Sequence, residues 1–205
     1  MKKDKKKHSK QRHNQPESIA RSFRAADQLD AFDENKNLQV VIETPRDSRN
    51  KYAYDPDSGF FECETPLPSG MVFPYDFGFV PSTRAEDGDP LDVLVLMDEP
   101  SYPGTLVRCR LIGVIQAEQA EGNRWFRNDR LVAVQLSSIE YSDLKDWKEL
   151  PGQLRQQIEH FFQSYNDARG KKFNVLNWGG ADVASKSIDD LVKTKKRAPE
   201  KMQAA

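Results

Sequence analysis

The stretch EDGDPLDVLVL, Glu86 to Leu96, sets four acidic side chains within seven residues and then turns almost wholly apolar. Carboxylates this close repel one another, so either water screens them or a cation holds them together. In an extended segment Asp87 and Asp89 project to one side, Gly88 lets the backbone turn freely, and Pro90 stiffens the chain just before the apolar run. Asp92 opens the apolar run and points opposite to Leu91 and Val93. Three carboxylates converging on one point offer the hard oxygen ligands that Mg2+ takes, alongside waters and a substrate phosphate. The competing reading is a solvated turn, since Asp, Gly and Pro are common turn formers, and these residues alone leave the two evenly matched. An EF-hand is excluded because the D-x-D-x-D-G register is absent. Nearby, Glu43 ends another candidate strand, VVIETP, and Lys51 opens the next.

The elements that must position these groups read as short strands broken by turn chemistry. LQVVIETP (38–45) is β-branched and stops at a proline, KYAYD (51–55) alternates, and PDSG (56–59) turns the chain into FFECE (60–64). VFPYDFGFVP (72–81) is aromatic at alternate positions, with prolines that suit an edge or a bend. LDVLVLM (91–97), LVRCRLIGVIQAE (106–118) and RLVAVQL (130–136) are the strongest strand patterns, and some seven short strands suggest a small barrel or sandwich. Leu150, Leu154, Ile158, Phe161, Phe162 and Tyr165 then fall at helical spacing, with a start near Leu150 and Gly170 as a stop. ADVASKSIDDLVKTKKR (181–197) reads as a second helix, and PESIARSFRAADQLDAF (16–32) as a short leading one.

The chain has 205 residues and a net charge of −1, enough for one domain with tails. Residues 1–13 carry +6 and residues 193–205 carry +4, so the remainder holds −11. The expected organisation is a basic disordered tail over 1–16, a single domain over 17–192, and a basic carboxyl-terminal tail over 193–205. An acidic body argues against a nucleic-acid groove, which the phosphate backbone requires to be basic. No apolar run is long enough for a membrane span, and the basic start lacks the apolar stretch of a secretory signal. Cys63 and Cys109 alone do not make a disulfide scaffold, so a reducing cytoplasm is the default.

VVIETP, KYAYDPDSG, LPSGMVFPYDFGF, EDGDPLDVLVL, PGTLVRCRLIGVI, NDRLVAV and IEHFFQSYN, in that order, resemble the soluble inorganic pyrophosphatases. The likeness runs from about Leu38 to Gly170. It implies an α+β, mostly β fold: an OB-like Greek-key β-barrel with flanking carboxyl-terminal helices, with divalent metals and pyrophosphate at its mouth. Through the resemblance, Asp87 and Asp92 take the role of metal ligands, Glu43 that of an outer ligand, and Asn128 stands where the family has another metal-binding aspartate. Asp89 would orient and deprotonate the attacking water. Lys51 and Arg130 would bind phosphate and assist the reaction, Arg130 standing where the family keeps a lysine, and Tyr165 would hydrogen-bond the leaving phosphate. The cofactor implied is Mg2+, with Mn2+ or Co2+ as substitutes, the substrate pyrophosphate or a small phosphoanhydride, and the assembly a homo-oligomer.

Several positions depart from that pattern. Ala53 replaces a carboxylate, Thr65 a phosphate-gripping arginine, Phe73 and Phe77 two tyrosines, and Asn166 a lysine. The carboxylate upstream of Asn128 falls near Gln119, with Glu118 and Glu121 as neighbours, and Asp129 should point the opposite way. A charged hydrogen bond is worth roughly 1.5–3 kcal/mol, so each lost cation weakens the phosphate grip, and Arg46, Arg49 and Arg84 are the candidates to compensate. The leading expectation is Mg2+-dependent pyrophosphate hydrolysis, with reduced activity or altered substrate. The alternative is an impaired relative that binds metal and phosphate or serves as an interaction subunit.

Overall fold

Five strands close into a ring in the computed structural model, which describes residues 25–197. In chain order the elements are β1 (Leu38–Thr44), β2 (Asn50–Asp55), β3 (Phe60–Pro66), β4 (Asp76–Val80), β5 (Leu91–Leu96), β6 (Leu106–Glu121), β7 (Arg124–Arg127), β8 (Arg130–Gln135), α1 (Gly152–Asp167), β9 (Lys172–Gly180) and α2 (Ala181–Arg197). The ring runs β1-β4-β5-β8-β6 and returns to β1, which pairs with β6 from Leu38↔Cys109 to Val41↔Leu106. Only β5 and β8 run parallel; the other ring pairs are antiparallel. This is the mostly-β barrel with two carboxyl-terminal helices that the sequence implies. The upper part of β6 outruns the ring and pairs with β7 and β9, and β2 and β3 form a separate hairpin.

The period of two along each strand sorts side chains between two cores. Leu91, Val93 and Val95 of β5 join Leu131 and Ala133 of β8 in one core, which α2 caps with Ala184 and Ile188. Leu94, Leu96, Val132 and Val134 fall in the other, against Ile158 and Phe162 of α1. Burying each such side chain is worth about 1.5–3 kcal/mol. Asp92 and Arg130, two residues before Leu94 and Val132, therefore face the same side as α1.

Two local devices aim the acidic residues. Ile42 pairs with Gly78 and Thr44 with Phe77, so Glu43 is an extra residue in β1, a bulge that turns its side chain away from the ladder. At the base of the 81–90 loop, the Thr83 hydroxyl donates to the Val80 carbonyl at 2.6 Å and accepts the Leu91 N–H at 2.8 Å. Within the loop Gly88 has φ +98°, and Asp87 Oδ1 accepts the Asp89 N–H at 3.2 Å. Convergence thus comes from a turn rather than from the extended segment that alternation suggests.

Other expectations change in detail. β4 is an interior strand, buried along its whole length, and Pro74 and Pro81 bracket it instead of marking an edge. β7 and β9 were absent from the sequence expectation. Helix α1 starts after Pro151 and not at Leu150. A separate turn at Trp147–Glu149 precedes it, held by a capping box from Asp146 and Glu149. Trp147 and Trp178 stack at 5.5 Å as packing groups, whereas Trp125 is 50% exposed. Of the leading helix only a turn at Ala26–Gln28 is described, and the tails before residue 25 and after 197 lie outside the described residues. Both cysteines are free thiols, Cys63 exposed and Cys109 buried.

Strand β4 can lie against β1 only because Gly78 has no side chain: a Cβ there would stand 2.0 Å from the Val41 carbonyl oxygen. Gly78→Ala is expected to cost about 3 kcal/mol or more, by clash alone. Gly59→Ala, strained by φ +74° but facing open space, should cost about 1 kcal/mol. Equal losses in a thermal unfolding comparison would refute the close approach.

Candidate active site

A cavity of about 540 Å3 opens between the β2–β3 hairpin, the 81–90 loop, the ends of β6 to β8, and the end of α1. Its lining includes Glu43, Lys51, Asp87, Asp89, Asp92, Asn128, Arg130 and Tyr165, so the fold brings every expected site residue to one place.

The acidic wall is electrostatically crowded. Burial pushes Glu43 up to about 8; a hydrogen bond from the Tyr54 N–H at 2.8 Å resists the rise, while the charges of Asp92 and Asp89 add to it. Burial likewise lifts Asp92 to about 6, against the pull of Arg130 and with a push from Asp87 and Asp89. Asp87 rises for the same reasons, burial first. Each of these carboxylates feels at least one other, which is the condition under which a cation would be held. Among the described residues no three Asp, Glu, His or Cys form a finished ligand cluster. The donors are all oxygen, few and partly hydrated, which fits a hard divalent ion that keeps its own waters.

The adjoining wall is cationic and aromatic. Arg130, 7% exposed, pairs with Asp92 Oδ2 at 2.7 Å and lies 5.6 Å from the ring centres of both Phe162 and Phe173. Its Nη1 also donates to Asn128 Oδ1, while Asn128 Nδ2 donates to Gln119 Oε1 at 3.0 Å. Both ends of the Asn128 amide are thereby engaged within the wall. Lys51 donates to Glu64 at 2.8 Å. Burial lowers the Lys51 pKa, but Glu64, Tyr165 and Glu43 outweigh it and the net shift is upward. Phe73 packs against Phe161 and Tyr165, keeping an aromatic wall where hydroxyls are missing.

The remaining expectations divide clearly. Asp129 points away as alternation requires, accepting from the Ala117 N–H and Arg127 Nε. Gln119 and Glu121 line the cavity, with Glu121 bound to Lys171 at 2.5 Å, whereas Glu118 does not. Arg46 and Arg49 are not the compensating cations: they bond the carbonyls of Met97, Asp98 and Leu67 outside the cavity. Arg84 lines a smaller recess of about 220 Å3 behind Pro90. The cations that do face the cavity, Arg124, Arg169 and Lys171, were missed. The run ARGKK just after α1 is the visible signal of Arg169 and Lys171; Arg124 has none.

The sequence profile of the inorganic pyrophosphatase family matches residues 40–196. An inorganic pyrophosphatase from Aquifex pyrophilus is 38% identical over 165 residues, 79% of this chain and 91% of that protein. Soluble inorganic pyrophosphatase 2 of Chlamydomonas reinhardtii is 42% identical over 154 residues, 75% of this chain and 78% of that one. The crystal structure of the inorganic pyrophosphatase from Thermus thermophilus superimposes with a TM-score of 0.77 at 33% identity, covering 84% of this chain and 99% of that one.

The raised pKa of Glu43 sets the sign of a pH effect. Between its ordinary 4.5 and about 8 the unfolded chain releases a proton that the folded chain keeps. Stability therefore falls as pH rises through that window and levels off above it. With chelator present, the thermal midpoint should drop from about pH 5 to about pH 8. Glu43→Gln should flatten most of that drop, and an unchanged slope would contradict the assignment.

Proposed function

This chain belongs to the inorganic pyrophosphatase family, and we propose that it hydrolyses pyrophosphate with Asp89 as the general base. It is a phosphoanhydride hydrolase that works with a divalent cation. We assign the cation to magnesium and its protein ligands to Asp87, Asp92 and the bulged Glu43. When bound, it neutralises charge and acidifies a water. Asp89 stands on the same wall and takes the proton from the attacking water. Its backbone is held in the loop by the Asp87 carboxylate, which accepts the Asp89 N–H.

Lys51 and Arg130 line the cavity beside the acidic groups and would bind the phosphates, compensating charge as the bridging oxygen departs. The Arg130 head is held by Asp92, Asn128 and two rings, so little reorganisation is needed as charge develops. Asn128 has the task of holding that arginine. Tyr165 OH accepts from Arg169 and keeps its own proton to donate to the leaving phosphate. The observation that carries this reading is the mutual electrostatic coupling of Glu43, Asp92 and the loop aspartates beside Lys51 and Arg130. We further propose a cytoplasmic homo-oligomer, in keeping with two free thiols; no described helix is long and apolar enough to cross a membrane.

Phosphate release from pyrophosphate, followed in Mg2+, Mn2+ and Co2+, is the test. Turnover with Mg2+ is expected, reduced about a hundredfold or more by Asp89→Asn. No release with any of the three ions, or full activity in the variant, would overturn the proposal.

A further inference from the structure

We propose that Arg169 binds a substrate phosphate in this cavity and that Glu64 is its internal competitor, a carboxylate occupying the anion position until substrate displaces it. The inference rests on the reading of the cavity as a pyrophosphate site. Two cations meet at this one carboxylate. Glu64 Oε2 receives Lys51 Nζ at 2.8 Å and lies 3.9 Å from Arg169 Nη1, while Arg169 donates to the Tyr165 hydroxyl beside them. An ammonium and a guanidinium beside one anionic oxygen, with a phenol bonded to the guanidinium, are the chemistry that holds a phosphoryl group. Here a side chain of the protein itself fills that place.

The backbone explains why Glu64 reaches it. Asn50 pairs with Pro66 and Tyr52 with Cys63, so β3 carries one more residue than β2 at the level of Lys51, where Glu64 and Thr65 stand. The bulge turns Glu64 into the cavity. Arg169 is anchored from the other side. It follows the last turn of α1, where its N–H and that of Lys171 both donate to the Asn166 carbonyl, and Gly170 at φ +71° reverses the chain. Its guanidinium lies 5.3 Å from the Tyr165 ring centre.

The same geometry accounts for two departures at once. Asn166, beside Tyr165, is 3% exposed and donates inward to the Phe162 carbonyl, so it offers nothing to an anion. Thr65 carries no charge, and it does not line the cavity. Arg169 brings a cation to the side those residues leave neutral. Glu64 is a weak occupant: its side chain is 36% exposed, and a half-solvated carboxylate yields to a phosphate of higher charge.

Methylenediphosphonate, which is not hydrolysed, is titrated calorimetrically into the full chain with Mg2+ present. Arg169→Ala should weaken binding about tenfold to a hundredfold, with Arg169→Lys in between. Glu64→Gln should tighten it about three- to fivefold, and KM for pyrophosphate should move in the same opposed directions. A purely structural role would shift both variants one way. Unaltered affinity in Arg169→Ala and Glu64→Gln, with unchanged unfolding midpoints, would overturn this inference and leave the hydrolase reading standing. Absence of binding by the parent chain would overturn both.

Discussion

Glu43, Asp87, Asp89 and Asp92 repel one another, and the architecture around them is what keeps them together. Coulomb repulsion between partly buried carboxylates costs several kcal/mol if nothing offsets it. Two offsets are visible. Burial raises the affinity of Glu43 and, less so, of Asp92 for a proton, and Arg130 contributes a positive charge at 2.7 Å from Asp92. What remains is a standing demand for positive charge at one end of the barrel, which a divalent ion satisfies. The acidic wall is thus poorly suited to the metal-free state and well suited to the loaded one.

The cationic wall solves a different problem. A substrate with several negative charges needs donors that are in place before it arrives. Arg130 is fixed by aromatic faces and by carboxylate and amide partners. Lys51 and Arg169 sit on a hairpin and on a helix end, both more exposed, and share Glu64. The cavity therefore has a rigid cation deep inside and adaptable ones at the rim.

Much of this was legible in the sequence because local chemistry wrote it. The β-branched runs of β1, β5, β6 and β8 and the turn residues of EDGDP each carry their own signal. Helix α2 has the bounds that its pattern suggests. The failures have one cause: they concern placement set by distant partners. KFNVLNWGG lacks clean alternation and becomes β9 only because the overhanging half of β6 offers it an edge. Arg169 and Arg124 belong to the cavity through ring closure, which no window of sequence displays. Asn128 is an intermediate case. It stands in the two-residue link just before β8, where its amide oxygen accepts from Arg130, a contact its place in the sequence does not display.

Closure of the ring joins residues far apart in the chain, Leu38 to Cys109 at one seam and Asp92 to Arg130 at another. Such seams are slow to form, because the entropy of closing long loops is lost before the contacts compensate for it. The cavity draws on segments from Glu43 to Lys171, so a half-folded intermediate holds no piece of it large enough to turn over substrate. Recovered catalysis after dilution from denaturant would consequently clock the final topological step and be blind to the earlier collapse.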